Sequence, residues 1–162
     1  MKVHVRKFQK DVYDEVNEPS KQALITLLER EGHTVVSDKE DYNADVVTTK
    51  GGQTYYHEVE RKAQWGKDWL SKKNYSLEPD SGWPSSWKEL RIPGRKRRLV
   101  QKYKDNIDNL FFYVFNCEYD KAWRVKGSQM TDSVIRRPDF ARVHKDETFY
   151  HIPYTEAELV RL

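Results

Sequence analysis

Between Pro19 and Glu31 the apolar positions recur three and four apart. Ala23, Leu24, Leu27 and Leu28 share one face, which predicts an amphipathic helix. Pro19 suits a first helical position, Glu18 ahead of it favours the helix dipole, and Gly32 fits just past the end. Residues 1–16 alternate weakly, as a short strand or an arm would. After the helix the period changes to that of strands. His33–Ser37 and Asp45–Thr49 read as two strands, and Thr54 to about Lys62 as a third, returning across Lys50-Gly51-Gly52-Gln53. Two adjacent glycines accept the positive φ of a tight hairpin turn. Leu110–Phe115 is a continuous apolar run of strand length, and Lys121–Val125 alternates and can pair with it across a turn at Asn116–Asp120. Gly127–Val134 suggests a short helix and Phe149–Pro153 a last strand. Thr155–Glu158 suggests a capped final helix. Together these predict one α/β domain spanning residues 1–162, a central sheet flanked by helices.

Residues 63–94 interrupt the pattern. They hold Trp65, Trp69, Trp83 and Trp87 among three prolines and three glycines, and read as a Trp-rich insertion rather than a core element. A basic helix from about Arg95 to Asn106 is expected to follow. Charge sharpens this division. Net charge is +3 over 162 residues, but residues 61–104 alone carry 13 bases and 4 acids. Arg91 to Lys104 holds seven bases and no acid, the footprint expected for a polyanion partner. Aromatics at 13% argue against a disordered chain. No apolar run approaches membrane-spanning length, and the N-terminus lacks the apolar stretch of a signal peptide. A lone Cys117 excludes an internal disulfide and a cysteine-built zinc site, so a reducing cytoplasm is expected.

The glycine turn fixes a register. If Gly51 and Gly52 form the turn, Lys50 faces Gln53, Val46 faces His57, and Asp45 lies opposite Glu58. Alternation puts Glu60 and Lys62 on the same face as Glu58, with His57, Val59 and Arg61 on the other. Carboxylates this close either share a proton or bind a divalent cation. An oxygen-only set suits Mg²⁺ or Mn²⁺ better than zinc. Such a cation can orient a phosphate and relieve its charge, and a lysine beside it can assist. The competing reading is a charged sheet edge that deters aggregation.

Asp45, a glycine hairpin and then Glu58-Val59-Glu60-Arg61-Lys62 resemble the PD-(D/E)xK nuclease superfamily. The order of elements from about Glu18 to Val125 is similar to that of archaeal-type Holliday-junction resolvases. The resemblance implies a restriction-endonuclease-like core. Ala44 stands where a proline is common. Two alignments stay open: Glu58-Val59-Glu60 keeps an apolar middle residue, and Glu60-Arg61-Lys62 restores the usual lysine. By resemblance an acid from the first helix often assists the metal, and Glu18 is the nearest candidate.

The reading that follows is a Mg²⁺-dependent (or Mn²⁺-dependent) endonuclease acting on DNA, junction or branched DNA included. Asp45, Glu58 and Glu60 are its expected metal ligands and Lys62 its phosphate or water contact. Arg91, Arg95, Lys96, Arg97, Arg98 and Lys102 are expected to meet phosphates, and Trp65 and Trp69 either to stack on bases or to form a small satellite core under a long loop. If two strands are cut, a homodimer is the simplest two-fold arrangement. A bacterial, archaeal or phage-infected cytoplasm fits, since many small nucleases of this kind come from phages or mobile elements. The main rival is a nucleic-acid-binding module on the same fold without catalysis. A further rival is an interaction protein whose acidic hairpin only guards an edge.

Overall fold

A computed structural model describes residues 10–39, 44–136 and 147–162, with side chains from Pro19 onward. The first helix, α1, runs Lys10–Arg30. It therefore begins earlier than expected, and Pro19 lies inside it. An interior proline removes one hydrogen bond and crowds the carbonyl one turn back, yet the helix runs continuously across it, and the residues before it hold no second breaker. The part of the expected N-terminal strand or arm covering residues 10–16 is helix, and residues 1–9 lie outside the described set.

The chain continues through β1 (Thr34–Ser37), β2 (Val46–Lys50) and β3 (Gln53–Arg61). A short helix α2 (Lys67–Ser71) and strand β4 (Glu89–Pro93) come next. The expected basic helix is α3 (Arg97–Lys102), with 3-10 turns at Gly94–Lys96 and Lys104–Asn109 on either side. Then come β5 (Leu110–Phe115), β6 (Lys121–Lys126), β7 (Ile135–Arg136), β8 (Phe149–Pro153) and β9 (Glu158–Arg161). The expected short helix at Gly127–Val134 is two separate 3-10 turns. The expected final helix is a 3-10 turn at Tyr154–Glu156 followed by β9. Pairing with β6, Trp123 opposite Leu159 and Ala122 opposite Val160, overrides the local capping signal.

Six strands form one mixed sheet in the order β1-β2-β3-β5-β6-β9. The β3–β5 pair is parallel and the others antiparallel. The β2–β3 hairpin has the register expected from its glycines, Lys50 opposite Gln53 through Val46 opposite His57. Gly51 and Gly52 both have positive φ, 57° and 78°, which a side chain at either position would strain.

The two faces of this sheet have separate cores. On one face, α1 lays Ala23, Leu24, Leu27 and Leu28 against Val46, Val59, Tyr113, Phe115, Ala122 and Val160. The other face carries Leu110, Phe112, Val114, Trp123 and Val125, covered by α3, by the Trp-rich segment and by a second sheet of order β4-β8-β7. The insertion is thus a core element rather than an excursion. Trp65 and Trp83 pack with Trp123 at ring-centroid distances of 5.9 and 6.1 Å. Trp65 is only 2% exposed, so it is a packing residue and not a stacking platform for bases.

Candidate active site

Strand β3 carries the candidate residues, and its two faces meet different partners. His57 and Val59 turn toward α1, while Tyr56 packs into the opposite core and Glu58 and Glu60 share its side. Asp45 stands just before β2, across the hairpin from Glu58. Each acid clasps a backbone N–H across the hairpin. The Asp45 N–H donates to Glu58 Oε1 at 3.0 Å, and the Val59 N–H donates to Asp45 Oδ2 at 3.0 Å. Both are buried, Asp45 at 5% and Glu58 at 2% exposure.

Burial, then the neighbouring Glu58 charge, then a hydrogen bond with the Glu58 carboxyl hold the Asp45 carboxyl well above the usual carboxylate range. The Val59 N–H and the Lys96 charge pull it back only partly. Asp45 therefore retains its proton where an isolated carboxyl would have lost it.

A lysine completes the cluster, but it is not the expected one. Lys96 Nζ lies 2.6 Å from Glu58 Oε2 and 3.0 Å from Glu60 Oε1, and Lys96 is itself buried. Burial alone would favour its neutral form, but the charges of Glu60 and Glu58 outweigh that and raise its pKa. Its place is set by the turn that carries it. Leu99 and Tyr103 anchor α3 in the core, Tyr103 stacking on Tyr56 at 4.0 Å between centroids. Gly94 at the start of the turn donates to the Thr148 carbonyl at 2.7 Å. A Cβ there would sit 2.9 Å from that same oxygen, so only glycine permits the approach.

Lys62, the lysine expected to join the acids, does not. The strand ends at Arg61, and the Lys62 ammonium lies over the Trp87 ring, 5.4 Å from its centroid. Lys96, expected at a phosphate, is instead buried between two carboxylates. A buried ion pair across 38 residues leaves no local trace in the sequence. The one available signal is the position of Lys96 inside the acid-free run.

The remaining basic residues are spread. Arg95 approaches Glu60 at 3.9 Å with half its side chain exposed. Arg97 is exposed and forks onto Asp132 at 3.0 and 3.1 Å. Lys102 lies over the Tyr103 ring. Trp69 is partly buried and stacks with Tyr75, 6.0 Å between centroids. Glu18 lies on α1, and its side chain is outside the described residues.

Among the described residues, no group of three or more His, Cys, Asp and Glu side chains is arranged to hold a metal ion. The expected three-acid patch is a pair, Asp45 with Glu58, and a third carboxylate joined to it through Lys96. That donor set still fits a magnesium-type cation. Such ions are commonly bound through one or two carboxylates, with water and substrate phosphate filling the rest. Two acids with a proton held on one of them offer a place where a cation can replace it.

No known family model matches the chain, and no curated protein does. Among solved structures, "D212, a nuclease from a fusselovirus" aligns over 96% of this chain and 89% of its own at a TM-score of 0.43 and 12% identity. A likeness at that level carries no argument about function. No helix among the described residues is long and apolar enough to cross a membrane.

Proposed function

We propose that the protein is a metal-dependent nuclease that hydrolyses phosphodiester bonds in DNA, branched DNA included. The observation that carries this reading is the Asp45–Glu58 clasp, two buried carboxylates pressed together on adjacent strands with the Lys96 ammonium beside them. Like charges opposed in a sheet are costly, and a purely structural hairpin gains nothing from them.

Asp45 and Glu58 would hold the cation, with Glu60 at its margin. A bound Mg²⁺ or Mn²⁺ would draw charge from a phosphate oxygen and acidify a water. The chain's own residues do the rest. Lys96 pairs with Glu58 and Glu60 and fixes their direction. The Val59 N–H fixes Asp45. Glu60, 28% exposed at its side chain, opens the cluster toward solvent, and Arg95 beside it offers a cation to an incoming phosphate.

A second reading, a nucleic-acid-binding module without catalysis, is favoured by one observation. Both Glu58 oxygens already have partners inside the protein, the Asp45 N–H and Lys96. Incubation with plasmid, single-stranded and branched DNA in Mg²⁺, Mn²⁺ or EDTA separates the two. The nuclease reading expects cutting in either metal and none in EDTA. Binding without cutting in any metal supports the module instead.

A further inference from the structure

Past Glu60, the same face of the sheet opens into a cavity of about 720 Å³. Its walls include Lys62, Trp83, Trp87, Arg91, Val114 and Arg136. Val114 is the register partner of Glu60 on β5, so the cavity begins beside the acid cluster. The size lies within the roughly 300–1,000 Å³ typical of small-molecule sites.

The wall is cationic and aromatic. Among the described residues its one acid is Glu89, which is already engaged within the protein. It accepts from Arg136 at 2.7 Å and from His151 Nδ1 at 2.6 Å. Burial would raise the Glu89 pKa, but the His151 hydrogen bond and the Arg136 charge more than offset this and lower it. Lys62 is the opposite case. It is half-buried, makes no ion pair among the described residues, and has only the Trp87 ring against its ammonium. A half-buried ammonium with only a ring face against it among the described residues is a place that an anion would stabilise. The Trp87 ring, held in place by Trp69, Tyr75 and Trp83, lines the same wall and presents aromatic surface to it.

We propose that this cavity binds a single unstacked nucleotide of the nucleic-acid strand, its phosphate on Lys62 and Arg91 and its base against Trp87. The proposal rests on the nuclease reading for the choice of a nucleotide over other anionic aromatic ligands. The cavity would take the nucleotide next to the scissile phosphate, so the enzyme would act on strands that can release one base from the stack.

The test is isothermal titration of the full chain in EDTA with thymidine 5′-monophosphate, thymidine and inorganic phosphate. The monophosphate is expected to bind at least tenfold more tightly than either fragment, because only it fills both halves of the cavity. Lys62→Met, which keeps the length of the side chain, is expected to weaken it about tenfold while circular dichroism stays unchanged. Trp87→Leu is expected to weaken the monophosphate and thymidine together. Absence of binding at millimolar monophosphate, or wild-type affinity in Lys62→Met, would overturn the proposal. Working in EDTA keeps this independent of cutting. Binding with no nuclease activity sinks only the nuclease reading, and cutting with no nucleotide binding sinks only the cavity assignment.

Discussion

His57 and Glu58 are neighbours on one strand, almost equally buried at 1% and 2% exposure, and they face opposite sides of the sheet. The protein treats them in opposite ways. Among the described residues His57 hydrogen-bonds neutral groups, the Thr48 hydroxyl at 2.9 Å and the Tyr113 hydroxyl at 3.0 Å, with Phe111 stacked 6.0 Å away and His33 edge-on at 5.4 Å. Burial, then the charges of His33 and Arg124, push its pKa down to about 3, so the imidazole stays neutral. Glu58 meets Lys96 and shares its space with Asp45. One face therefore satisfies a buried polar side chain by neutral hydrogen bonds, which only stabilise. The other assembles charge that a stable fold does not require. Buried charge kept where neutral groups would serve is the pattern expected of a site.

The largest expected difference between the faces lies in activity. Asp45→Asn is expected to lower DNA cleavage by about 100-fold or more, a loss of about 2.7 kcal/mol of barrier lowering, with binding of the same DNA retained in a gel-shift assay. His57→Gln is expected to leave the cleavage rate within a few-fold of wild type. Equal losses in both variants would erase the distinction.

Stability comes next. Lys96→Met strands Glu58 and Glu60 without their cation, and removing one partner of a buried pair costs about 3–5 kcal/mol. Urea unfolding should register that loss, and the double variant Glu58→Gln, Lys96→Met should recover much of it. A single variant as stable as wild type would mean that the pair is not desolvated as described.

Those two variants also mark where sequence reading succeeds and where it stops. The hairpin register is legible residue by residue, because two glycines fix the turn and a turn fixes every pair beyond it. The α1 face is legible from its period, with Leu24, Leu27 and Leu28 all in the core as expected. Lys96 is not, because a basic run reads as solvated charge wherever its lysines end up. The tryptophans are not legible either, since a residue that stacks on bases and one that stacks on Trp123 have the same composition and spacing. Strand β9 escapes sequence reading because Glu158–Arg161 is a strand only through the edge that β6 offers it.

A smaller effect is expected from acid. The His57 pKa is lowered in the folded chain, so below its ordinary value of 6.5 the unfolded chain takes up a proton that the native state refuses. The stabilisation is fully present above that pH and is lost as pH falls toward 3, at up to about 1.4 kcal/mol per pH unit. Unfolding free energies measured across this window should fall more steeply for wild type than for His57→Gln. Parallel slopes would show that His57 is not kept neutral. The smallest effect concerns the exposed bases. Arg97→Ala together with Arg98→Ala should flatten the dependence of log DNA affinity on log salt by about one unit for each phosphate no longer neutralised. An unchanged slope removes that segment from the interface.

The central claim is that a divalent cation binds between Asp45 and Glu58, displacing the proton held on Asp45. Titration of Mn²⁺ into the full chain, with free ion followed by electron paramagnetic resonance and DNA present to complete the shell, tests it most directly. The account predicts one site per chain, weakened at least tenfold in Asp45→Asn and in Glu58→Gln. Uptake that is the same in all three proteins, or absent from the wild type, would contradict it.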